Sequence, residues 1–459
     1  MRKKGFYRVT ALGLIMALAL GSVGCSLKKQ RVAEKNEGDK NPVKFEYSGD
    51  ETPLTGKLEL QIFVGGFGSE WWEYAISEFQ KLNPDLEITA HLDANVNAQM
   101  KTRWAKDNPP DFVFLDGTNM PHETWMAEGK LMDLADIYEN GNVYGTEEKI
   151  KDKVREGLVN YYRGTDKVYQ MPFALSTYGM WYDENLFQQN GWEMPKNYQE
   201  LLDFSKQTLA DGTYPFIYTG QYSGYLIMGL LLPAVASEAL ATDDLDYFYD
   251  VLNAANEDVF DDPRFVRVME KLKELADAGC FDQSGLSMNH ITSQAAWLKH
   301  AAALIPNGLW LESEMRESIP DDFKMRYYPS VLQDADQKTV VIAASNTVGI
   351  AANAKNPEAA AAFLRFLYTD DVSKKFVELC YSPCATTVDV SDVETTETTK
   401  QVIEMLNSDE ITMVAKGDTS WGSVNSTISD SVNRIVSGEY TVEQAIAVVK
   451  EATIKKNNE

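Results

Sequence analysis

The segment Lys57-Leu-Glu-Leu-Gln-Ile-Phe-Val64, followed at once by Gly65-Gly66-Phe67-Gly68, decides the fold. Its apolar residues alternate and then run together at the end, as in a strand entering a buried sheet, and the glycines break it. Ser69 caps the next element, in which Trp72, Ala75, Ile76, Phe79 and Leu82 recur at helical spacing until Asn83-Pro84 stops it. A second strand is predicted over Leu86 to Leu92 and a third over Phe112-Val-Phe-Leu115, with Asn108-Pro109-Pro110-Asp111 as the turn between a helix and the third strand. Strands alternating with helices imply a parallel sheet and hence an α/β fold. Ligands of open parallel sheets bind beyond the carboxyl ends of the strands, here the loops Gly65 to Glu70 and Asp116 to Asn119.

On the N-terminal side, Arg2, Lys3, Lys4 and Arg8 precede an apolar run from Val9 to Leu20, the two parts of an export signal and too short for a membrane span. Gly21, Ser22, Val23 and Gly24 then lead into Cys25, which resembles the lipobox of bacterial lipoproteins, although Ser22 stands where Leu is usual. Residues 1–24 are thus read as a signal peptide, Cys25 as the lipidation site, and the polar residues 25–55 as a disordered tether. The expected location is the extracytoplasmic face of the cell membrane, with the lipid as the only membrane contact.

On the C-terminal side, helical spacing marks Tyr198 to Leu209, Tyr225 to Leu240, Arg264 to Ala278 and Thr292 to Ala302. Val340 to Ala344 and Thr347 to Ala352 are strand-like, Asn356-Pro357 opens a helix running through Leu367, and Thr441 with Gln444 forms a capping box for the last helix. No stretch after the signal is read as long and apolar enough to span a bilayer. At 459 residues with 44% apolar content the chain holds more than one core, so two domains are expected. A net charge of -26 repels nucleic acid and anionic lipid surfaces, so neither is an expected partner. Cys380 and Cys384 are close enough in sequence for either a local disulfide or a pair of thiols.

The residues suited to chemistry are few. His91, His122, His290 and His300 are scattered without zinc-ligand spacing, and no phosphate loop or Gly-x-Ser-x-Gly elbow is present, so no metal and no cofactor is expected. Tyr161-Tyr162 and Tyr327-Tyr328 invite comparison with iron-binding transport proteins but read better as ordinary strand tyrosines. Glu312 and Glu314 near Trp310 are one arrangement a glycosidase uses, so a secreted hydrolase acting through Glu312 or Asp116 stands as the alternative. What does stand out is aromatic residues beside glycine at breaks between elements: Trp71, Tyr222, Tyr225, Trp310 and Trp421. Flat rings below and acids or amides at the rim suit a sugar, which has an apolar face and a fringe of hydroxyls.

The order of these pieces resembles the family 1 extracellular solute-binding proteins, the group that includes the maltose-binding protein. The likeness runs through Phe79-Gln-Lys-Leu-Asn-Pro84, Pro110-Asp111-Phe-Val-Phe-Leu-Asp116, Tyr169-Gln-Met-Pro172, Met180 to Phe187, Pro195 to Leu201, Phe216 to Tyr225, Ile305-Pro-Asn-Gly-Leu-Trp310, Ser345-Asn-Thr-Val-Gly-Ile350 and Ser420-Trp421. It implies a periplasmic-binding-protein-like fold: two α/β lobes joined by hinge strands, with the ligand cleft between them. Residues 56–168 and 344–386 would form one lobe, 169–343 and 387–459 the other. It further implies a monomeric, non-enzymatic receptor that delivers a carbohydrate to the permease subunits of an ABC importer. Trp310, Tyr222 and Trp421 would stack on the sugar while Glu70, Asp116 and Asn119 hold its hydroxyls, with Trp71, Tyr225, Glu312 and Asn346 completing the binding set. The segment Gly308-Leu-Trp-Leu-Glu-Ser-Glu-Met315 is most similar to binding components for N-acetylglucosamine and chitobiose; a metal complex, polyamine or peptide on the same fold is the other cargo considered.

Overall fold

A computed structural model describes residues 45, 47, 49–417 and 421–458, whose strands form two sheets. Strand β1 (Gly56–Phe63) forms where the alternation predicts it and pairs in parallel with β2 (Leu86–Asp93) and β3 (Phe112–Phe114). Phe112 and Phe114 point into one apolar cluster, Val113 and Leu115 into another. The sheet is therefore covered on both faces, which is why its strands read as unbroken apolar runs. Helix Glu70–Leu82 lays Trp72, Ala75 and Phe79 on it. The buried carboxylate of Asp111 accepts the Glu59 N–H (2.9 Å) and the Asn356 N–H (3.1 Å), tying the Pro-Asp turn to β1 and to the start of helix Pro357–Phe366.

Strand β4 (Met171–Ser176) belongs to this first sheet, and β5 (Tyr178–Asp183), only one residue later, belongs to the second. The second sheet is completed by β6 (Tyr214–Phe216), β7 (Ala302–Gly308) and β8 (Met325–Tyr328), in the order β6-β7-β5-β8. Trp181 and Ile305 face the core shared with the first lobe, while Met180 and Leu304 face the second lobe's helices. The return crossing is β9 (Thr339–Ile350). Its first half pairs with β10 (Ile411–Ala415) and its second half with β3 and β4. The sequence reading divided β9 in two, but Ser345 and Asn346 stay extended because Leu175 and Ala174 pair with them.

Four further departures are seen. The helix expected over Tyr225 to Leu240 is Gly224–Leu226 and Leu232–Ala241 joined by a wide π turn at Ile227–Leu231, because Pro233 has no N–H to donate one turn back. This run, Gly224–Ala241, does have the length and apolarity to cross a membrane, contrary to expectation, but most of it is buried in the second core. The helix expected to reach Ala302 ends at Trp297, since Ala302 begins β7 and pairs with Tyr214. Finally, Phe45, Tyr47 and Leu54 rest against the first core, Glu51 pairs with Arg365 (2.5 Å), and the Leu54 N–H reaches Asn83 Oδ1 (2.9 Å). Ordered packing thus starts before Gly56, inside the expected tether. The signal peptide and Cys25 lie outside the described residues. Cys380 and Cys384 are buried free thiols, set on the Phe67 carbonyl and on Thr386.

Candidate functional site

Between the lobes lies a cleft of about 900 Å³. From the first lobe come the loops after β1 and β3, the ones the strand order predicted: Gly65 to Gly68, and Asp116 to Thr118. The second lobe contributes Tyr178 at the start of β5, Tyr222 on a short turn after β6, Tyr225 in the helix that opens at Gly224, and Trp310 just beyond β7. Three of these rings form a wall. Tyr178 meets Trp310 edge-on at 5.2 Å, Tyr225 meets Trp310 at 5.8 Å, and Tyr178 and Tyr225 stand 5.8 Å apart. The two lobes touch here, because a Cβ built on Gly66 would fall 2.9 Å from the Trp310 ring; only glycine permits that approach.

The acidic groups come from both sides. Asp116 opens onto the cleft, yet protein surrounds it closely. Burial pushes its pKa up, against the Gly117 N–H (2.6 Å), the Asn346 side-chain amide (3.0 Å) and nearby His122. Asn346 Oδ1 is buried and finds no hydrogen-bond partner among the described residues. Glu314 accepts from the fully buried Gln294 side chain (2.7 Å), with His290 Nε2 3.8 Å from its other oxygen. Burial, then the charges of Glu314 and Asp116, hold the Tyr225 hydroxyl protonated, so it remains a donor.

Of the ten predicted binding residues, the cleft brings together five: Asp116, Asn346, Tyr222, Tyr225 and Trp310. The others lie elsewhere. Trp71 is 2% exposed, stacks on Phe173 at 5.3 Å and donates its indole N–H to the Val372 carbonyl (2.9 Å); helix Glu70–Leu82 begins one residue earlier than a bare loop ring would need. Trp421 is likewise buried, its N–H bonded to the Val251 carbonyl (2.7 Å) in the second core. Glu70 is engaged by Arg316 and the Ser69 N–H beside the cleft, and Asn119 is exposed on a left-handed turn. Glu312 faces away, buried against Thr396 (3.0 Å) and Thr399 (3.3 Å), so it is not the sugar-side acid a hydrolase would need.

Tyr178, His290 and Glu314 line the cleft as well, although none of them is among the binding residues predicted from the sequence. A signal for Glu314 existed: it stands one helical turn after Trp310, whose carbonyl accepts its N–H (2.9 Å), and this spacing puts ring and acid on one face.

Two lobes, crossing strands and an aromatic, acid-lined cleft between them define the two-lobed solute-binding class. The chain belongs to the bacterial extracellular solute-binding proteins: that family matches residues 65–374. It is similar to the diacetylchitobiose binding protein NgcE of Streptomyces coelicolor, 25% identical over 391 residues, covering 82% of this chain and 80% of that one. It is also similar to a multiple sugar-binding protein of Streptococcus mutans, 21% identical over 394 residues and 83% of each chain. The apo structure of RafE from Streptococcus pneumoniae has the same fold, with a TM-score of 0.65 at 20% identity over 88% of this chain and 99% of that one.

Proposed function

We propose that the protein is a lipid-anchored receptor that captures a carbohydrate between its lobes and hands it to an ABC importer, without transforming it. The observation that carries this is the ring wall of Tyr178, Trp310 and Tyr225 set across the cleft from Asp116 and Asn346. Sugar C–H faces lie on rings, hydroxyls donate to carboxylates and amides, and the rest of the chemistry is closure. Contacts from both lobes favour the closed form over the open one, and that difference in binding free energy shifts the population. The residues that cross between the sheets, Thr177 and the middle of β9, are where such motion would bend.

The likeness to NgcE supports N-acetylglucosamine or chitobiose as cargo, and the leader with Cys25 supports membrane anchoring. A monomer with permease subunits as its protein partners fits this role. The test is calorimetric titration with N,N′-diacetylchitobiose, raffinose and maltose. At least one is expected to bind, and Trp310→Ala is expected to weaken it at least about 30-fold, the loss of a central ring contact. Sugar binding that survives this truncation unchanged would remove Trp310 from the site, and turnover of chromogenic glycosides would replace a receptor with an enzyme.

A further inference from the structure

A second cavity, of about 500 Å³, shares no lining residue with the cleft and has the size of a small-molecule pocket. One wall is the chain from Thr387 to Thr395. Its Thr387 N–H donates to the Lys153 carbonyl (2.9 Å), and its Thr395 hydroxyl donates to the Val377 carbonyl (3.2 Å) in helix Asp370–Cys380. The opposite wall is helix Glu397–Leu406, where Lys400, Ile403 and Glu404, with Asn407 just past the end, recur at three- and four-residue spacing and share one face. That helix is fastened to β8 instead, the Thr398 hydroxyl donating to the Met325 carbonyl (3.0 Å) and the Gln401 side chain to the Tyr327 carbonyl (2.9 Å). Two walls with separate anchors preform the cavity, so a molecule that enters it loses little to ordering the protein.

Between the walls stands Arg155, and its hydrogen bonding is incomplete. Its backbone N–H is fixed to the Ala385 carbonyl (2.9 Å). Its Nη1 reaches Asn407 Oδ1 at 3.5 Å, longer than an ordinary N–H···O bond, and Nε is buried and finds no partner among the described residues. Asp389, an acid on the first wall, turns its carboxylate to the Ser391 N–H (2.9 Å). Lys400 pairs with Glu397 at 3.2 Å where both are exposed, a contact weak enough for a ligand to displace. Beside these two cations lie the apolar side chains of Val388, Val390 and Ile403. A guanidinium with an N–H to spare suits a carboxylate, because its planar fork meets both oxygens at once.

We infer that this cavity is a second ligand site, for a small organic carboxylate with a short apolar body. Exchanging the long Asn407 bond for the ligand turns the Arg155 fork into the cavity, Lys400 leaves Glu397 to meet the same charge, and Val388, Val390 and Ile403 take the apolar end. The inference goes beyond the carbohydrate reading and does not depend on what the cleft binds.

The test is the melting temperature of the protein titrated with butyrate, succinate and leucine, and with butyramide as an uncharged analogue, all at one ionic strength because salt screens the contact. At least one carboxylate should raise it saturably, with a Kd of about 1 mM or tighter, and butyramide should not. Arg155→Lys keeps the charge but loses the fork, and Lys400→Glu reverses a charge on an exposed side chain; each should weaken that carboxylate about ten-fold or more. A response to leucine alone supports the site in its zwitterionic form, with Glu404 meeting the ammonium group. No saturable response to any carboxylate, an equal response to butyramide, or a response unchanged in both variants overturns the inference, and each of these leaves the carbohydrate reading to its own titrations.

Discussion

Glu312 and Glu314 are two residues apart and have opposite surroundings. Glu314 looks into the cleft, whereas Glu312 is 7% exposed and rests on the threonines that start helix Glu397–Leu406. Burial pushes the Glu312 pKa up from 4.5 to about 7, against the hydrogen bonds from those threonines. Because the folded value lies above the unfolded one, the native state holds this proton more tightly. The contribution is therefore complete below about pH 4.5, is lost as pH rises toward 7 and is absent above it, by at most about 3 kcal/mol. Glu312→Gln keeps a neutral partner for the threonines and should flatten this decline. Thermal melts at pH 5 and pH 8 are the check: the variant should gain relative to the wild type at pH 8 and not at pH 5. Both acids could be named from the sequence, but which one was buried could not, because the helix that covers Glu312 comes from residues far along the chain.

Elements with local instructions formed where their residues said they would. The last helix, Val442–Asn458, opens on a reciprocal box in which the Thr441 N–H donates to Gln444 Oε1 (2.9 Å) and the Gln444 N–H to Thr441 Oγ1 (3.3 Å). It buries Ala445, Ile446 and Val449 in the second core. Thr441→Ala leaves the Gln444 N–H without its partner and should lower stability by about 1 kcal/mol in denaturant unfolding, with no change in sugar affinity. Elements that answer to neighbours were less legible. β9 reads as two strands because Ser345 and Asn346 are polar, yet they are polar because they line the cleft on the way between lobes. Trp71 and Trp421 stand beside glycine-rich breaks as Trp310 does, and only packing separated the two core rings from the one that lines the cleft.

Across the whole molecule, like charges face each other over the cleft, since Asp116 of the first lobe and Glu314 of the second both act on Tyr225. One opposite pair also joins the lobes beside the cleft, Arg316 with Glu70, whose carboxylate is held by its helix N-terminus and by the Ser69 N–H. Both side chains are about a third or more exposed, so the pair is worth at most about 1 kcal/mol. Arg316→Met should therefore weaken sugar binding by about two- to five-fold through faster dissociation, read by stopped-flow tryptophan fluorescence. Exchanging the charges, Glu70→Arg with Arg316→Glu, should recover part of the loss. High salt should weaken the wild type toward the variant, and equal salt sensitivity of the two would show that the pair does not assist closure.

The sequence by itself determined what depends on near neighbours: the strand-turn-helix alternation that makes the parallel sheet, the caps, the loops that face the cleft, and the supply of rings and acids along it. Tertiary structure decided which rings and acids those were. Whether Trp71 packs on Phe173, whether Glu70 meets Arg316, and whether Glu312 or Glu314 faces the cleft all turn on contacts between segments distant in sequence. Burial is a property of the assembled chain, and spacing along one element cannot report what another element lays over it.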